Sequence, residues 1–288
     1  MLFAMADTTP SRTVLITGCS SGIGHATAAR LVDRGWNVYA TARQSATLDE
    51  LTARGCHALR LDVTDEDSMR TAVDQIIAEA GRIDALVNNA GYSQSGAAET
   101  LDLDDVRRQF ETNVFGLLRL SQLVLPTMRS QRSGRIVNIS SMGGRLVFPG
   151  GAVYHATKYA VEAISDAMRF EVAGFGIAVA IVEPGLIVTN FEQAALASMD
   201  GLTSGDGIYD EFNRQVAATM SEAYSGPMRH LGGGPDSVAK VVTRALESRR
   251  PRTRYTVTPS AKLALAARRV MPDRMWDAAM RTQFPRPR

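Results

Sequence analysis

Tyr154 and Lys158 stand four residues apart in Tyr154-His-Ala-Thr-Lys158. On a helix that spacing puts a phenol and an amine on one face, one turn apart. A free phenol titrates near 10, so only about one in a thousand is ionised at pH 7, whereas a general acid or base works best near the working pH. An ammonium about 4 Å away, at an effective dielectric near 20, favours the phenolate by about 4 kcal/mol, enough for roughly three pKa units. The pair therefore predicts proton exchange with a substrate oxygen. Lysine is scarce here: only Lys158, Lys240 and Lys262 occur in a chain rich in arginine. An amine at position 158 thus points to a specific task. Taken alone, Y-x-x-x-K is a weak signal that also arises by accident.

A second constellation is Thr17-Gly-Cys-Ser-Ser-Gly-Ile-Gly24, between a strand pattern and a helix pattern. Free backbone N–H groups and the positive end of a helix dipole suit a phosphate at such a turn. Gly18 makes the tight turn, Gly22 lets a pyrophosphate approach the backbone, and Gly24 lets the helix lie close to the sheet. Ser20, Ser21 and Ile23 complete the loop. The spacing is G-x-x-x-G-x-G rather than G-x-G-x-x-G, and a glycine turn without a ligand is the alternative. The next strand ends in Thr41-Ala-Arg43, with no carboxylate for a ribose 2′-hydroxyl. Arg43 suits a 2′-phosphate, which predicts NADP(H) in preference to NAD(H); a plain surface arginine is the other reading. Asp62 and Val63, at the third strand's end, are placed for an adenine, although acids here also cap helices, with Thr64 and Asp65 next in line.

These groups need a scaffold, and the hydrophobic pattern supplies one. Buried strands are predicted at 13–17, 37–41, 57–61, 83–87, 134–140 and 177–182, with a last one at 254–258. Helices are predicted at 22–34, 46–54, 66–80, 103–128, 153–173 and 236–247. Strands that are apolar throughout belong to a parallel sheet covered on both faces. The expected fold is α/β: a single doubly wound parallel sheet of about seven strands, with helices on both faces and right-handed crossovers. Residues 12–190 form the cofactor-binding and catalytic core. The rhythm breaks at 191–234, an irregular insertion of the kind that serves as a substrate lid. Residues 235–288 add a helix, the last strand and a basic extension.

Composition narrows the classes. The chain has 288 residues, 45% hydrophobic and 22% charged, so a collagenous, disordered or coiled-coil chain is excluded. Its longest apolar run, 172–182, is too short for a membrane span. The start lacks the cationic region of a secretory signal. Two cysteines give no disulfide framework, and no Cys/His spacing suggests a metal. A cytoplasmic protein is expected. The net charge of +2 suggests no nucleic-acid partner, but residues 241–288 hold twelve cationic side chains against three carboxylates, a local excess of +9. That end is a solvated face or, as the second reading, a peripheral membrane contact.

Thr17 to Gly24, Asn88-Asn-Ala-Gly91, Asn113, Ser140-Ser141, Tyr154 with Lys158, and Pro184-Gly-Leu-Ile-Val-Thr189 occur in this order. Together they resemble the short-chain dehydrogenase/reductase family over roughly 13–190. The words Thr17 to Gly24, Val38 to Arg43 and the strand near Tyr255 are similar to its retinol and 17β-hydroxysteroid dehydrogenase branch. The resemblance implies a Rossmann-type fold. It implies that Tyr154 exchanges a proton with the substrate oxygen, that Ser141 (rather than Ser140) hydrogen-bonds that oxygen, and that Lys158 lowers the tyrosine pKa and holds the nicotinamide ribose. Asn113 would fix a water as a proton relay; a helix residue bonding backbone is its alternative. Asn89, Ala90 and Gly91 would lie below the cofactor. Pro184, Gly185, Ile187 and Thr189 would run past the nicotinamide. His155 is read as structural. A homo-oligomer, dimer or tetramer, is expected through the helices bearing Asn113 and Tyr154.

The insertion carries Phe191, Leu196, Met199, Leu202, Tyr209, Phe212, Met220, Tyr224 and Met228. Such side chains suit a lipophilic ketone or alcohol, steroid- or retinoid-like, or they merely pack the lid. The predicted function is NADP(H)-dependent interconversion of a ketone or aldehyde and an alcohol. The alternatives are a β-ketoacyl or sugar-alcohol type reductase, and a non-catalytic dinucleotide-sensing protein.

Overall fold

The computed structural model describes residues 11–199, 202 and 207–284. The N-terminal stretch read for a signal lies, for its first ten residues, outside the described residues, as do parts of the insertion and the last four residues of the basic end. Seven strands form one parallel sheet: β1 (Thr13–Ile16), β2 (Asn37–Ala42), β3 (His57–Arg60), β4 (Ala85–Asn88), β5 (Gly134–Ile139), β6 (Ile177–Glu183) and β7 (Arg254–Thr256). Their order is β3-β2-β1-β4-β5-β6-β7. The direction of winding reverses between β1 and β4, so a crevice opens beyond their carboxyl ends, where open α/β sheets bind ligands.

The strands are apolar on both faces because each face has its own helical layer. Val14, Ile16, Val38, Ala40, Val87, Val137 and Val182 belong to one buried cluster, shared with α1 (Gly22–Val32) and α9 (Pro235–Glu247). The alternate residues Leu15, Tyr39, Leu86, Ile136 and Val179 belong to a second cluster. That cluster is shared with α3 (Glu66–Ala80), α5 (Gly116–Gln131) and α6 (Ala152–Ala173). Successive strand residues point to opposite faces, so a strand with no polar alternation is what a sheet covered twice requires.

Two predicted elements differ in detail. The helix read at 46–54 is a 3-10 turn, Ser45–Leu48, followed by the short α2 (Asp49–Ala53). The helices read around 103–128 are α4 (Leu103–Phe110) and α5, joined by a π turn over Glu111–Phe115. Gly116 follows the turn, where a Cβ would collide with the Val63 carbonyl, so the helix approaches the third strand's end on glycine. The last strand stops at Thr256, because Thr258 turns to cap α10 (Pro259–Val270) by accepting from the Ala261 N–H at 3.2 Å. The insertion contains α7 (Asn190–Ala197) and α8 (Asp210–Ser225), and α11 (Asp273–Arg281) follows α10. No helix among the described residues is long and apolar enough to cross a membrane.

A buried polar ladder crosses the sheet under the crevice. Asn88 Nδ2 donates to Asn138 Oδ1 (2.9 Å) and Ser121 Oγ (3.0 Å), and Asn138 Nδ2 donates to Ser165 Oγ (2.8 Å). Asn138 is wholly buried. Buried polar groups are costly when orphaned. Asn138→Ala is therefore expected to destabilise the fold by about 2 kcal/mol, read as a shift in the urea midpoint with an unchanged slope.

Candidate active site

The turn from β1 to α1 needs glycine at two points. Gly18 (φ +71°) and Gly22 (φ +60°) occupy the left-handed region. At Gly24 a Cβ would collide with the Gly18 carbonyl, so the helix closes on the strand as the spacing predicts. Asn89 fixes the turn from the end of β4: its Nδ2 donates to the carbonyls of Thr17 (2.9 Å) and Gly18 (3.1 Å). Thr17 Oγ1 in turn accepts from the N–H groups of Asn89 and Ala90, each at 3.0 Å. Asn89 is thus a brace of the loop. No side chain caps α1, since Ser21 makes no such bond, so its first amides stay available to an anion.

Gly18, Ser20, Ser21, Gly22 and Ile23 line one wall of a cleft of about 1410 Å³. Arg43, Asp62 and Val63 line its far end. Arg43 is exposed and has no ion-pair partner among the described residues. Asp62 does not cap a helix. Its Oδ1 accepts from Thr64 N (2.9 Å) and Thr64 Oγ1 (2.8 Å), and Asp65 caps α3 instead. Tyr92, which sequence reasoning passed over, lines the same wall. Burial raises its phenol, and the Arg108 and Arg43 guanidiniums partly offset that.

At the cleft's centre are Tyr154 and Lys158 on α6, with Ser141 at the end of β5. Lys158 Nζ donates to the Ile139 carbonyl at 2.9 Å and lies 5.8 Å from the centre of the Tyr154 ring. This geometry corrects the electrostatic expectation. Burial pushes the Tyr154 phenol up to about 12, only partly offset by a hydrogen bond from Ser141. Burial also pushes the Lys158 amine down to about 8. Desolvation of both groups outweighs their attraction here, because the amine is aimed at a carbonyl and not at the phenol oxygen.

Ser141 Oγ accepts from the Gly143 N–H at 3.0 Å, which caps a short turn and fixes the hydroxyl. Ser140 is buried behind it: a Cβ on Gly144 would lie 2.7 Å from Ser140 Oγ and 2.9 Å from Glu162 Cγ. His155 is structural, as read. Its Nδ1 contacts the Gly143 carbonyl (2.9 Å) and its Nε2 accepts from Phe148 N (3.1 Å), so the ring clamps the loop that carries Ser141 and is kept neutral by burial. The Met142 N–H donates to the Pro184 carbonyl (2.8 Å), tying this loop to the stretch after β6. There Gly185 passes close to Thr258 and Ser260, Ile187 pairs with Gly233, and Thr189 caps α7. Pro184, Gly185, Ile187 and Thr189 all line the cleft.

Asn113 sits in the π turn, and its side chain bonds backbone. Oδ1 accepts from Tyr92 N (3.1 Å), and Nδ2 donates to the Tyr92 carbonyl (2.9 Å) and to Thr157 Oγ1 (3.1 Å). A Cβ on Gly91 would stand 3.0 Å from Asn113 Oδ1 and 3.8 Å from Lys158 Nζ. Glycine at 91 therefore leaves a small space between the two side chains.

The insertion divides its apolar residues. Phe191, Met220, Tyr224 and Met228 line the cleft, with the Phe191 ring 5.6 Å from that of Tyr154. Tyr209 instead donates to Glu99 Oε2 at 2.5 Å, and Leu202 packs near Gly96. The insertion's apolar side chains are thus divided between the cleft wall and contacts with the rest of the fold. The basic extension returns to the mouth: Trp276 Nε1 donates to the Val147 carbonyl (3.3 Å), and the buried Phe284 lines the cleft. Its many arginines gave no sign of this in the sequence.

Residues 12–200 match the family described as short chain dehydrogenase. The 3-ketodihydrosphingosine reductase of Bacteroides thetaiotaomicron is 37% identical over 272 residues, 93% of this chain and 96% of that protein. A short-chain dehydrogenase from Streptomyces avermitilis superposes with a TM-score of 0.77 at 35% identity, covering 94% of this chain and 95% of that one. The closed form of a serine dehydrogenase complexed with NADP+ follows at 0.74 and 28% identity, covering 86% and 94%.

The depressed Lys158 amine has a consequence for stability. Between about 8 and its ordinary 10.5 the folded chain binds fewer protons here than the unfolded chain does. The cost of burying the charged amine is therefore complete below pH 8 and is relieved as pH rises toward 10.5. Denaturant titrations at both ends of that window are expected to show wild type gaining up to about 3 kcal/mol relative to Lys158→Met. A difference that stays flat with pH would mean that the amine titrates normally.

Proposed function

The chain belongs to the short-chain dehydrogenase/reductase family of nicotinamide-dependent oxidoreductases, and on that premise we propose that it interconverts a lipophilic ketone and a secondary alcohol with NADP(H). One observation carries this reading: Tyr154, with Ser141 beside it and Lys158 buried one turn later, shares a cleft with an uncapped glycine turn.

The chain's residues fit a dinucleotide along that cleft. The α1 amides and Gly18 to Ile23 would cradle the pyrophosphate. Asp62 and Val63 would border the adenine, and Arg43, without an ion-pair partner among the described residues, would meet a 2′-phosphate. Ala90 and Gly91 would form the floor, and Pro184 to Thr189 the wall beside the nicotinamide. Bound there, the nicotinamide would supply or accept the hydride. Tyr154, protonated at neutral pH, would give its proton to the carbonyl oxygen in reduction and take it back in oxidation. Ser141 would hold that oxygen by a hydrogen bond as charge develops on it. Lys158 would place a cation beside the ribose, and the space left by Gly91 would let Asn113 keep a water against the amine.

The apolar half of the cleft supports a lipophilic substrate, and the relative named for 3-ketodihydrosphingosine supports a ketone. In this reading 191–234 is the substrate lid over the 12–190 core, and 235–284 helps to close the mouth. Exposed Leu103, Phe115, Tyr159 and Phe170 on α4, the π turn and α6 support a homo-oligomer through those helices.

Tyr154→Phe is expected to lower kcat for ketone reduction about a hundredfold or more while NADPH binding persists. Unchanged turnover would remove Tyr154 from the proton transfer, and NADPH binding by wild type without turnover of any ketone would return the chain to a dinucleotide-sensing role. Arg43→Ala is expected to weaken NADPH binding about tenfold and to leave NADH binding little changed. Fluorescence titration with both cofactors checks this, and a native preference for NADH would remove the role given to Arg43.

A further inference from the structure

The rim of the cleft mouth carries apolar side chains and cations together. α10 packs beside the 3-10 turn Pro227–Leu231. α11 is held to α10 through Arg268, which donates to the Met271 carbonyl (3.1 Å) and to Asp273 Oδ1 (2.6 Å). The Arg268 Cζ also lies 5.7 Å from the centre of the Trp276 ring. Met228 on the turn, Ala264 on α10 and Phe284 after α11 line the cleft, so these three elements frame its opening.

The outward face of α10 is unlike that of a helix facing only water. Lys262, Leu263, Ala266, Arg269 and Val270 are exposed at helical spacing, while Ser260, Ala261, Ala264, Leu265 and Ala267 are buried or half-buried. A solvated outer face is ordinarily polar. Here Leu263 is 60% and Val270 78% exposed, Lys262 and Arg269 stand beside them, and this stripe holds no acid. Met275 on α11 and Met228 and Leu231 on the turn are exposed as well. Single exposed apolar side chains are ordinary, whereas five on adjoining elements around a cleft mouth mark an interaction surface.

Charge decides what such a surface fits. The three elements hold six lysines and arginines against Asp273 and Asp277, and Glu222 borders the turn at Gly226. Asp273 is already matched to Arg268. Lys262, Arg269, Arg274 and Arg229 have no ion-pair partner among the described residues. A second copy meeting this face through a two-fold axis would set cations against cations. A bilayer with anionic headgroups answers both features at once, with phosphates for the cations and the acyl boundary for the apolar side chains.

We propose that α10, α11 and the turn Pro227–Leu231 dock on the surface of an anionic lipid bilayer. Leu263 and Val270 would reach the acyl boundary, and Lys262, Arg269, Arg274 and Arg229 would lie among the phosphates. The mouth of the cleft then faces the membrane, and an apolar ketone passes from lipid toward Tyr154 without crossing water. The docking stands on this surface alone, and only the passage of substrate rests on the reading of the chain as a ketone reductase.

Sedimentation of the full chain with vesicles tests it. One set is phosphatidylcholine, and the other contains about one third phosphatidylglycerol, both in about 0.1 M salt. Wild type is expected to bind the anionic vesicles about tenfold or more tightly than the neutral ones, and to be released near 1 M salt. Lys262→Glu with Arg269→Glu, and separately Leu263→Ser with Val270→Ser, are each expected to weaken that binding about tenfold or more with an unchanged melting temperature. Arg249→Glu with Arg250→Glu is the control for bulk charge. These exposed residues precede β7, at the sheet edge opposite to α10, and their reversal is expected to leave vesicle binding nearly unchanged. Wild type that stays in the supernatant with both vesicles, or binds both equally, overturns the proposal. So does a control pair that loses as much as the rim pairs. A wild-type dimer that Leu263→Ser with Val270→Ser dissociates, without vesicle binding, makes the rim a contact between copies and also overturns it. If no ketone is reduced, the reductase reading fails, and the vesicle result still decides the docking.

Discussion

The buried amine of Lys158 is the constraint around which the cleft is arranged. An ammonium taken out of water needs an acceptor, and the sheet offers one in the Ile139 carbonyl, the last residue of β5. That bond sets the depth of α6 against the strand end and hence the height of Tyr154 above the sheet. It also requires the chain to leave β5 at once, which it does through Ser140 and Ser141. The same exit puts Ser141 in the cleft with Tyr154 and lets His155, the residue after Tyr154, clamp the loop. One costly desolvation is thus offset by several fixed contacts, and the outcome is a phenol that keeps its proton at neutral pH.

A second arrangement supports the first from behind. Glu162 lies one turn beyond Lys158, packed against Ser140 and Gly144, and raises the lysine pKa by its charge. Left alone, Glu162 would be an uncompensated buried acid. Arg254 on β7 answers it: Nε lies 2.9 Å from Glu162 Oε2 and 3.5 Å from Glu183 Oε1, and Nη2 lies 2.5 Å from Asp166. The wholly buried Glu183 also accepts from Thr256 at 2.7 Å and meets Arg145 at 3.4 Å. The short last strand therefore does more than extend the sheet. It delivers the counter-charge for Glu162, whose field reaches the amine in the cleft.

Much of this was legible in the sequence, and the legible parts share a property. Gly18, Gly22 and Gly24, the doubly apolar strands, and Tyr154 with Lys158 all express short-range rules of backbone geometry or helical spacing. The parts that were not legible depend on partners far apart in the chain. Nothing near Asn88 announces that Asn138 and Ser165 will satisfy it. Asn89 reads as part of a motif, yet its amide is used on the carbonyls of Thr17 and Gly18. Phe284 sits in an arginine-rich tail whose composition suggests solvent, and it is buried at the mouth of the cleft. The spacing of Tyr154 and Lys158 gave their shared face correctly. The balance between attraction and desolvation did not follow from spacing, because it depends on how much water the rest of the fold excludes.

That distinction explains why the substrate half of the cleft is the least readable part of the chain. The dinucleotide half is built on the sheet, where register and strand order leave little freedom. The other half is built from α7, α8 and a tail that returns from beyond β7, elements whose placement is set by side-chain contacts such as Tyr209 with Glu99 and Trp276 with Val147.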